Sequence, residues 1–275
     1  ISSTKQWALD NGKDWKPYWK DKDTALIHFI GKDNIVFHCL IFPAILKATD
    51  QYILPVNVPA NQFMNLEGDK ISTSRNWAVW VHEVNNLANF VNRVVVLTNK
   101  YYEGKVPTFD ANLEINSSLV QGESATYGEE LLLLKDKLEK VGQQIEKFDF
   151  RGGVSELMEI SSLGNQLLQF NEPWKAIKTD PERVKVVMNL GVQIVAALSV
   201  ACRPFLPFTS DKLRNILQLS DIQENGELKA IIEKLSDQVG IVGIAHEIGK
   251  PTHLFSRIPD EVIDAQIQKL EDTKK

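Results

Sequence analysis

The period of the hydrophobic positions changes near residue 84 of this 275-residue chain. Before it, short apolar runs alternate with turn residues. Thr24 to Ile30 reads as a strand ending at Gly31, and Asn34 as the cap of a helix running through Phe37 to Leu46. Tyr52 to Val58, broken by Pro55 and closed by Pro59, and Phe63 to Leu66, ahead of Glu67-Gly68-Asp69, are further short runs of β type. Strand, glycine turn and helix in that order predict a piece of a doubly wound α/β domain.

From Val84 onward the spacing is helical and predicts helices over about 84–102, 123–148, 152–170, 181–203 and 209–218. Gly152-Gly153 is expected to separate the second helix from the third, and residues 104–122, with Pro107 and Gly122, to form a long loop. The fourth helix has the clearest start: Asp180 as cap, Pro181 in the first helical position and Glu182 in the first turn, with Pro204 as its stop. Its run from Val184 to Cys202 is long enough to raise a membrane span. Lys185, Asn189 and Gln193 recur every four residues and form one polar stripe, so the segment reads as the central helix of a soluble bundle instead. The expected architecture is an α/β fragment of a nucleotide-binding fold over residues 1–83, then an all-α helix bundle over 84–258. A short helix or linker is expected over 259–275.

Length gives a prior of about two domains, and 43% hydrophobic with 24% charged residues is a globular composition. A net charge of −5 excludes nucleic-acid binding through a broad basic surface, while leaving room for reading a few specific bases. Cys39 and Cys202 lie far apart in apolar runs, which gives neither a zinc knuckle nor a disulfide framework and suits a reducing, cytoplasmic setting. The start at Ile1-Ser-Ser-Thr-Lys has no signal-peptide character and reads as the interior of a structured segment, hence the expectation of a fragment.

Two stretches carry candidate chemistry. In His28-Phe-Ile-Gly31-Lys-Asp33-Asn34-Ile-Val-Phe-His38, a strand end, a glycine and a helix start suit a nucleotide's ribose or phosphate, with Asp33 able to accept from ribose hydroxyls. The plain alternative is a strand–turn–helix with a solvated Asp. In Asn65-Leu-Glu-Gly68-Asp-Lys70-Ile-Ser72-Thr73-Ser74-Arg75-Asn76, lysine, hydroxyls and backbone amides on a glycine-preceded loop suit the charge that develops on a departing pyrophosphate. By itself such a loop is as readily a solvated turn. The second stretch resembles the mobile Lys-Met-Ser-Lys-Ser loop of class I aminoacyl-tRNA synthetases, and the pair together resembles the methionyl-tRNA synthetase family over nearly the whole chain.

That resemblance implies ATP, as its Mg2+ complex, and methionine as substrates. It implies that Gly31, Asp33 and Asn34 meet the nucleotide, and that His38 lines the methionine and adenylate pocket. The catalytic loop then maps onto Lys70, Ser72, Thr73, Ser74 and Arg75. Thr73 stands where the family has its second lysine, leaving Arg75 or Lys70 to carry that charge.

Asn85, Asn89, Asn92 and Arg93 share one side of a helix, opposite Leu87, Val91 and Val94. With Asn86 these are four Asn in three turns, which weaken a helix unless they find partners. Those partners are either a neighbouring helix or the edges of splayed single-stranded bases. Trp174, beside Pro173, is either core packing or a stacking platform. The resemblance implies that Asn85, Asn89, Arg93 and Trp174 read the CAU anticodon of tRNA(Met), and that Arg203-Pro-Phe-Leu-Pro207-Phe is structural. The family's His-Ile-Gly-His signature and zinc-bearing lobe are not in this chain, so zinc is expected only in a missing N-terminal part, if at all, and the fragment is expected to be inactive alone. The family's linking segment between loop and anticodon helix is also missing near Glu83-Val84. A monomer with no membrane contact is expected. The competing reading is a non-catalytic RNA-binding or scaffold module derived from a synthetase.

Overall fold

Residues 1–61, 65, 66, 69, 70, 82–219, 227–255, 261, 265 and 268 are described by the computed structural model of the chain. Its contacts divide into two units, residues 1–79 with 259–275 and residues 80–258.

The first unit opens with helices α1 (Ser2–Asp10) and α2 (Pro17–Lys20), where the sequence suggested short strands and turns. Pro17 at the first helical position has no N–H to leave unpaired. The strand expected over Thr24–Ile30 is two short pieces, β1 (Leu26–Ile27) and β2 (Ile30–Gly31). After a 3-10 turn over Lys32–Asn34 and a π-helical turn over Phe37–Ile41 comes α3 (Phe42–Thr49). The chain returns as β3 (Pro55–Asn57) and β4 (Ala60–Asn61), parallel to β1 and β2, with Leu26 opposite Pro55 and Ile30 opposite Ala60. A helical crossover between parallel strands is the unit from which doubly wound sheets are built. β5 (Asn65–Leu66) and β6 (Asp69–Lys70) then form an antiparallel hairpin.

Asn34 does not cap a helix as expected. It lies inside the 3-10 turn, which follows Gly31 without a side-chain cap, and Ile35 and Val36 are already helical, so no extended cap position exists at Asn34. The π turn has a cause in Pro43. Lacking an N–H and crowding the carbonyl four residues back, it cannot continue an ordinary helical turn, and the Phe42 N–H bonds instead to the Phe37 carbonyl.

The second unit is helical. It contains α4 (His82–Tyr102), a hairpin of β7 (Ile115–Asn116) and β8 (Ser124–Ala125), α5 (Tyr127–Glu146), α6 (Phe150–Asn171), α7 (Pro173–Ala176), α8 (Pro181–Ala201), α9 (Pro207–Ile216) and α10 (Glu227–Ser236). Two of the helix starts differ from the sequence expectation for physical reasons. α5 starts at Tyr127 because Thr126 and Glu129 form a reciprocal cap, with the Thr126 N–H donating to Glu129 Oε2 at 2.7 Å. Gly152 and Gly153 lie inside α6: the break comes earlier, at Phe148 with φ 61°, and the Asp149 carboxylate accepts the Gly152 N–H at 2.9 Å. The long loop is not structureless, since it holds β7. α10 was not expected; it buries only Ile231 and Leu235. In the tail, Glu261, Ala265 and Gln268 have helical backbone, and the rest of 259–275 lies outside the described residues.

α8 runs through the middle of this bundle, buried from Val186 to Ser199 without interruption. It is long and apolar enough to cross a membrane, but its surface is spent on its neighbours. Of the polar stripe, only Lys185 reaches the edge, 2.7 Å from Glu182. Asn189 accepts from the Tyr127 hydroxyl at 2.9 Å and donates to the Pro107 carbonyl at 3.0 Å, while Gln193 donates to the Val242 carbonyl and accepts the Val242 N–H. Buried amides satisfied in this way tie α5, α8 and two loops to one register. α6 and α4 approach closely because Gly164 has no side chain, and Phe90 takes the space.

Candidate functional site

Gly31 has φ −77° and ψ 151°, extended backbone that any residue adopts, so its role is steric and not conformational. A Cβ there would stand 2.5 Å from Asp33 Oδ1, which shows that the Asp33 carboxylate folds back against the strand end. Asp33 and Asn34 are exposed, at the carboxyl end of parallel β2, where open α/β sheets take their ligands.

The π turn builds the neighbouring wall. At about 100° per residue, Phe37 and Phe42 would point far apart on an α-helix; the wider turn stacks their rings at 6.1 Å and 12°. His38 is half-buried beside them, with its Nδ1 3.4 Å from Nδ1 of His28. One ring must donate and the other accept, so the pair shares one proton across that contact. Burial, and then the neighbouring His38, hold His28 below its ordinary value. His28 carries no signal in the sequence beyond its place three residues before Gly31; it lies between β1 and β2, where its ring meets that of His38. Phe29, Val36, Leu40 and Ile45 around this wall are more than half exposed, an apolar surface of the kind that marks an interaction face.

Lys70 ends β6 at backbone level, and Ser72, Thr73, Ser74 and Arg75 lie outside the described residues. Among the described residues no group of three or more His, Cys, Asp or Glu is placed to hold a metal ion.

On α4 the asparagines divide. Asn86 is the helix–helix seam: its Nδ2 donates to Ser162 Oγ at 3.0 Å, and Asn165 donates to its Oδ1 at 2.6 Å. Asn89, Asn92 and Arg93 are exposed, and none of them bonds through its side chain to another described residue. Leu87, Phe90, Val91 and Val94 on the other side are buried. Asn85 lies in the first turn of α4, and its side chain is outside the described residues. Trp174 is not a core residue. It is 37% exposed on α7, next to buried Pro173, and Lys175 beside it pairs with Glu172 at 2.7 Å. Arg203 pairs with Asp211, and the Leu206 N–H bonds the Cys202 carbonyl, so the Arg203–Phe208 segment closes the end of α8.

The first unit thus carries a parallel strand–helix–strand piece with an open carboxyl edge, and the second a bundle with an exposed Asn/Arg face and an exposed Trp. Residues 1–102 match the family described as tRNA synthetases class I (M), and residues 120–275 match the anticodon binding domain of methionyl tRNA ligase. The chain belongs to the methionyl-tRNA synthetase family. Among curated relatives, the methionine–tRNA ligase of Flavobacterium johnsoniae is 45% identical over the whole of this chain and 45% of its own length. That of Bacteroides fragilis is 42% identical over the whole chain and 43% of its own length. The chain thus spans less than half the length of the relatives it matches. The alignment with the first covers 334 positions against the chain's 275 residues, so the relative holds internal residues that this chain lacks. The fold is similar to that of the Mycobacterium tuberculosis methionyl-tRNA synthetase in its free state, with a TM-score of 0.67 at 19% identity, covering 91% of this chain and 52% of that one. The same enzyme bound by methionyl-adenylate gives a TM-score of 0.64.

Proposed function

We propose that this chain is the part of a methionine–tRNA ligase that carries one wall of the adenylate site and the anticodon-reading bundle. The ligase activates methionine with Mg2+-bound ATP and transfers it to tRNA(Met). In this reading Gly31, Asp33 and Asn34 take the ribose of the nucleotide, His38 lines the methionine and adenylate pocket, and Lys70 to Arg75 close over the phosphates. The exposed apolar surface around the π turn fits a segment that packs against the rest of a nucleotide fold in a longer protein. Zinc, if the ligase holds one, belongs to that other part. The protein is cytoplasmic, monomeric and without membrane contact in this proposal.

At the bundle, Asn89 and Arg93, with Asn85 one turn before them, offer donors and acceptors to the base edges of a CAU anticodon, and Trp174 offers a ring face to stack on. The observation that carries the reading is the separation of the α4 asparagines: Asn86 is consumed by the α6 seam, whereas Asn89, Asn92 and Arg93 stand in solvent with no side-chain partner among the described residues. The scaffold alternative is not favoured, because the curated relatives matched over the whole chain are ligases. Titration of the chain with RNA stem-loops carrying CAU or a scrambled loop tests the reading. Tighter binding to CAU is expected, and equal affinities for both loops would overturn it.

A further inference from the structure

The end of α6 is closed by two asparagines that the reading above does not use. Asn171, its last residue and 2% exposed, pairs with the backbone of Asn116 in β7 as a neighbouring strand would: Oδ1 accepts the Asn116 N–H at 2.9 Å and Nδ2 donates to the Asn116 carbonyl at 2.8 Å. Nδ2 also donates to the Leu167 carbonyl at 2.9 Å. Asn116 answers with its own amide, donating to the Phe170 carbonyl at 2.7 Å. Carbonyls in the last turn of a helix have no partner within it, so this clamp supplies one where the helix cannot. The hairpin it grips is itself anchored, since the Ser118 N–H and hydroxyl both donate to the buried Glu130 carboxylate.

Only two residues separate the clamp from Trp174, and neither has slack. Glu172 sits in the left-handed region at φ 40° and ψ 56°, which a residue with a side chain holds only where its surroundings impose it. Its carbonyl accepts the N–H groups of Lys175 and Ala176. Pro173 has its φ locked by its ring and is buried. The direction in which the indole leaves the backbone is therefore set by the clamp.

We propose that Asn171 and Asn116 are positioning residues for Trp174: they hold the elbow between α6 and α7 so that the indole is presented to an RNA base already ordered, without touching RNA themselves. This rests on the reading of Trp174 as a stacking platform. A ring fixed before binding loses less conformational freedom on stacking, so the clamp acts on affinity through Trp174 alone.

A double-mutant cycle on the full chain, binding a CAU stem-loop, tests this at a temperature where each variant keeps its wild-type helical spectrum. Trp174→Ala is expected to weaken binding roughly 5- to 150-fold, the range of one lost base stack. Asn171→Ala should cause a large part of that loss, and no further loss in the Trp174→Ala background. With fluorotryptophan, the Trp174 resonance should be single in the wild type and broadened or split in Asn171→Ala. Should Asn171→Ala fail to fold, Asn116→Ser removes only the bond to the Phe170 carbonyl and should give a smaller effect of the same kind. Equal losses from Asn171→Ala in both backgrounds, or a lowered melting temperature with unchanged affinity, would overturn the proposal. Unchanged affinity in Trp174→Ala alone would instead sink the reading of Trp174 on which it rests.

Discussion

Phe90 of α4 lies where a side chain on Gly164 of α6 would have to go. The aromatic ring is fully buried, so it has nowhere to retreat. Gly164→Ala is expected to destabilise the bundle by about 1–3 kcal/mol through overpacking, despite the better helix propensity of alanine. Phe90→Leu in that background should recover part of the loss. Denaturant unfolding of the four proteins measures the coupling, and strictly additive effects would show that the two positions do not compete for space.

Arg93 is expected to act on RNA and not on folding. Arg93→Ala should weaken binding of a CAU stem-loop while leaving the melting temperature unchanged, because its side chain has no partner among the described residues. In the longer ligase, methionine activation by the same variant should be unaffected. A fall in stability without a change in affinity would return Arg93 to the ordinary surface.

The chain alone is expected to show no exchange of pyrophosphate into ATP with methionine, since it contains no His-Ile-Gly-His and spans less than half of its relatives. In the longer ligase, Lys70→Ala should lower kcat for adenylate formation with little change in the methionine KM, as expected for a contact that strengthens in the transition state. A change confined to KM would make the loop a binding element only.

Acidification should loosen the first unit through His28. Its folded pKa lies below the ordinary 6.5, from burial first and the facing His38 second. The unfolded chain therefore takes up the proton first as pH falls, so this contribution is present above 6.5 and is lost as pH drops through the folded value. His28→Phe should flatten the pH dependence of the urea midpoint in that window. Identical pH profiles for the two proteins would contradict the assignment.

Much of the fold was legible because α8 and the helices around it follow a period that local sequence imposes. Asp180 and Pro181 marked the start of α8 correctly, and a surface apolar on all sides but one narrow polar stripe placed it at the centre. What escaped depended on partners distant in sequence. Gly152 and Gly153 look like a break, but Asp149 caps the helix that contains them. Helical spacing sets Asn89 on the side of Asn85, Asn92 and Arg93 and leaves Asn86 off it, but the partners of Asn86, Ser162 and Asn165, lie more than seventy residues away and no local pattern announces them. Trp174 beside a proline at a helix end reads more readily as core packing, and only the fold leaves its ring 37% exposed on α7.

The polar stripe of α8 also bears on the nascent chain. Before the bundle closes, Pro181–Ala201 has the length and apolarity that membrane-insertion machinery selects for. Asn189 and Gln193 fall near its midpoint, and in hydrocarbon each amide would lack the partners that Pro107, Tyr127 and Val242 supply in the folded protein. Only the bond from Gln193 Nε2 to Asn189 Oδ1 within the helix, at 2.9 Å, would remain; the amide groups left without partners cost roughly 2–7 kcal/mol, and Lys185 adds a charge near one end. The two side chains that lock the helix into the bundle thus also disfavour its misrouting into a bilayer during synthesis.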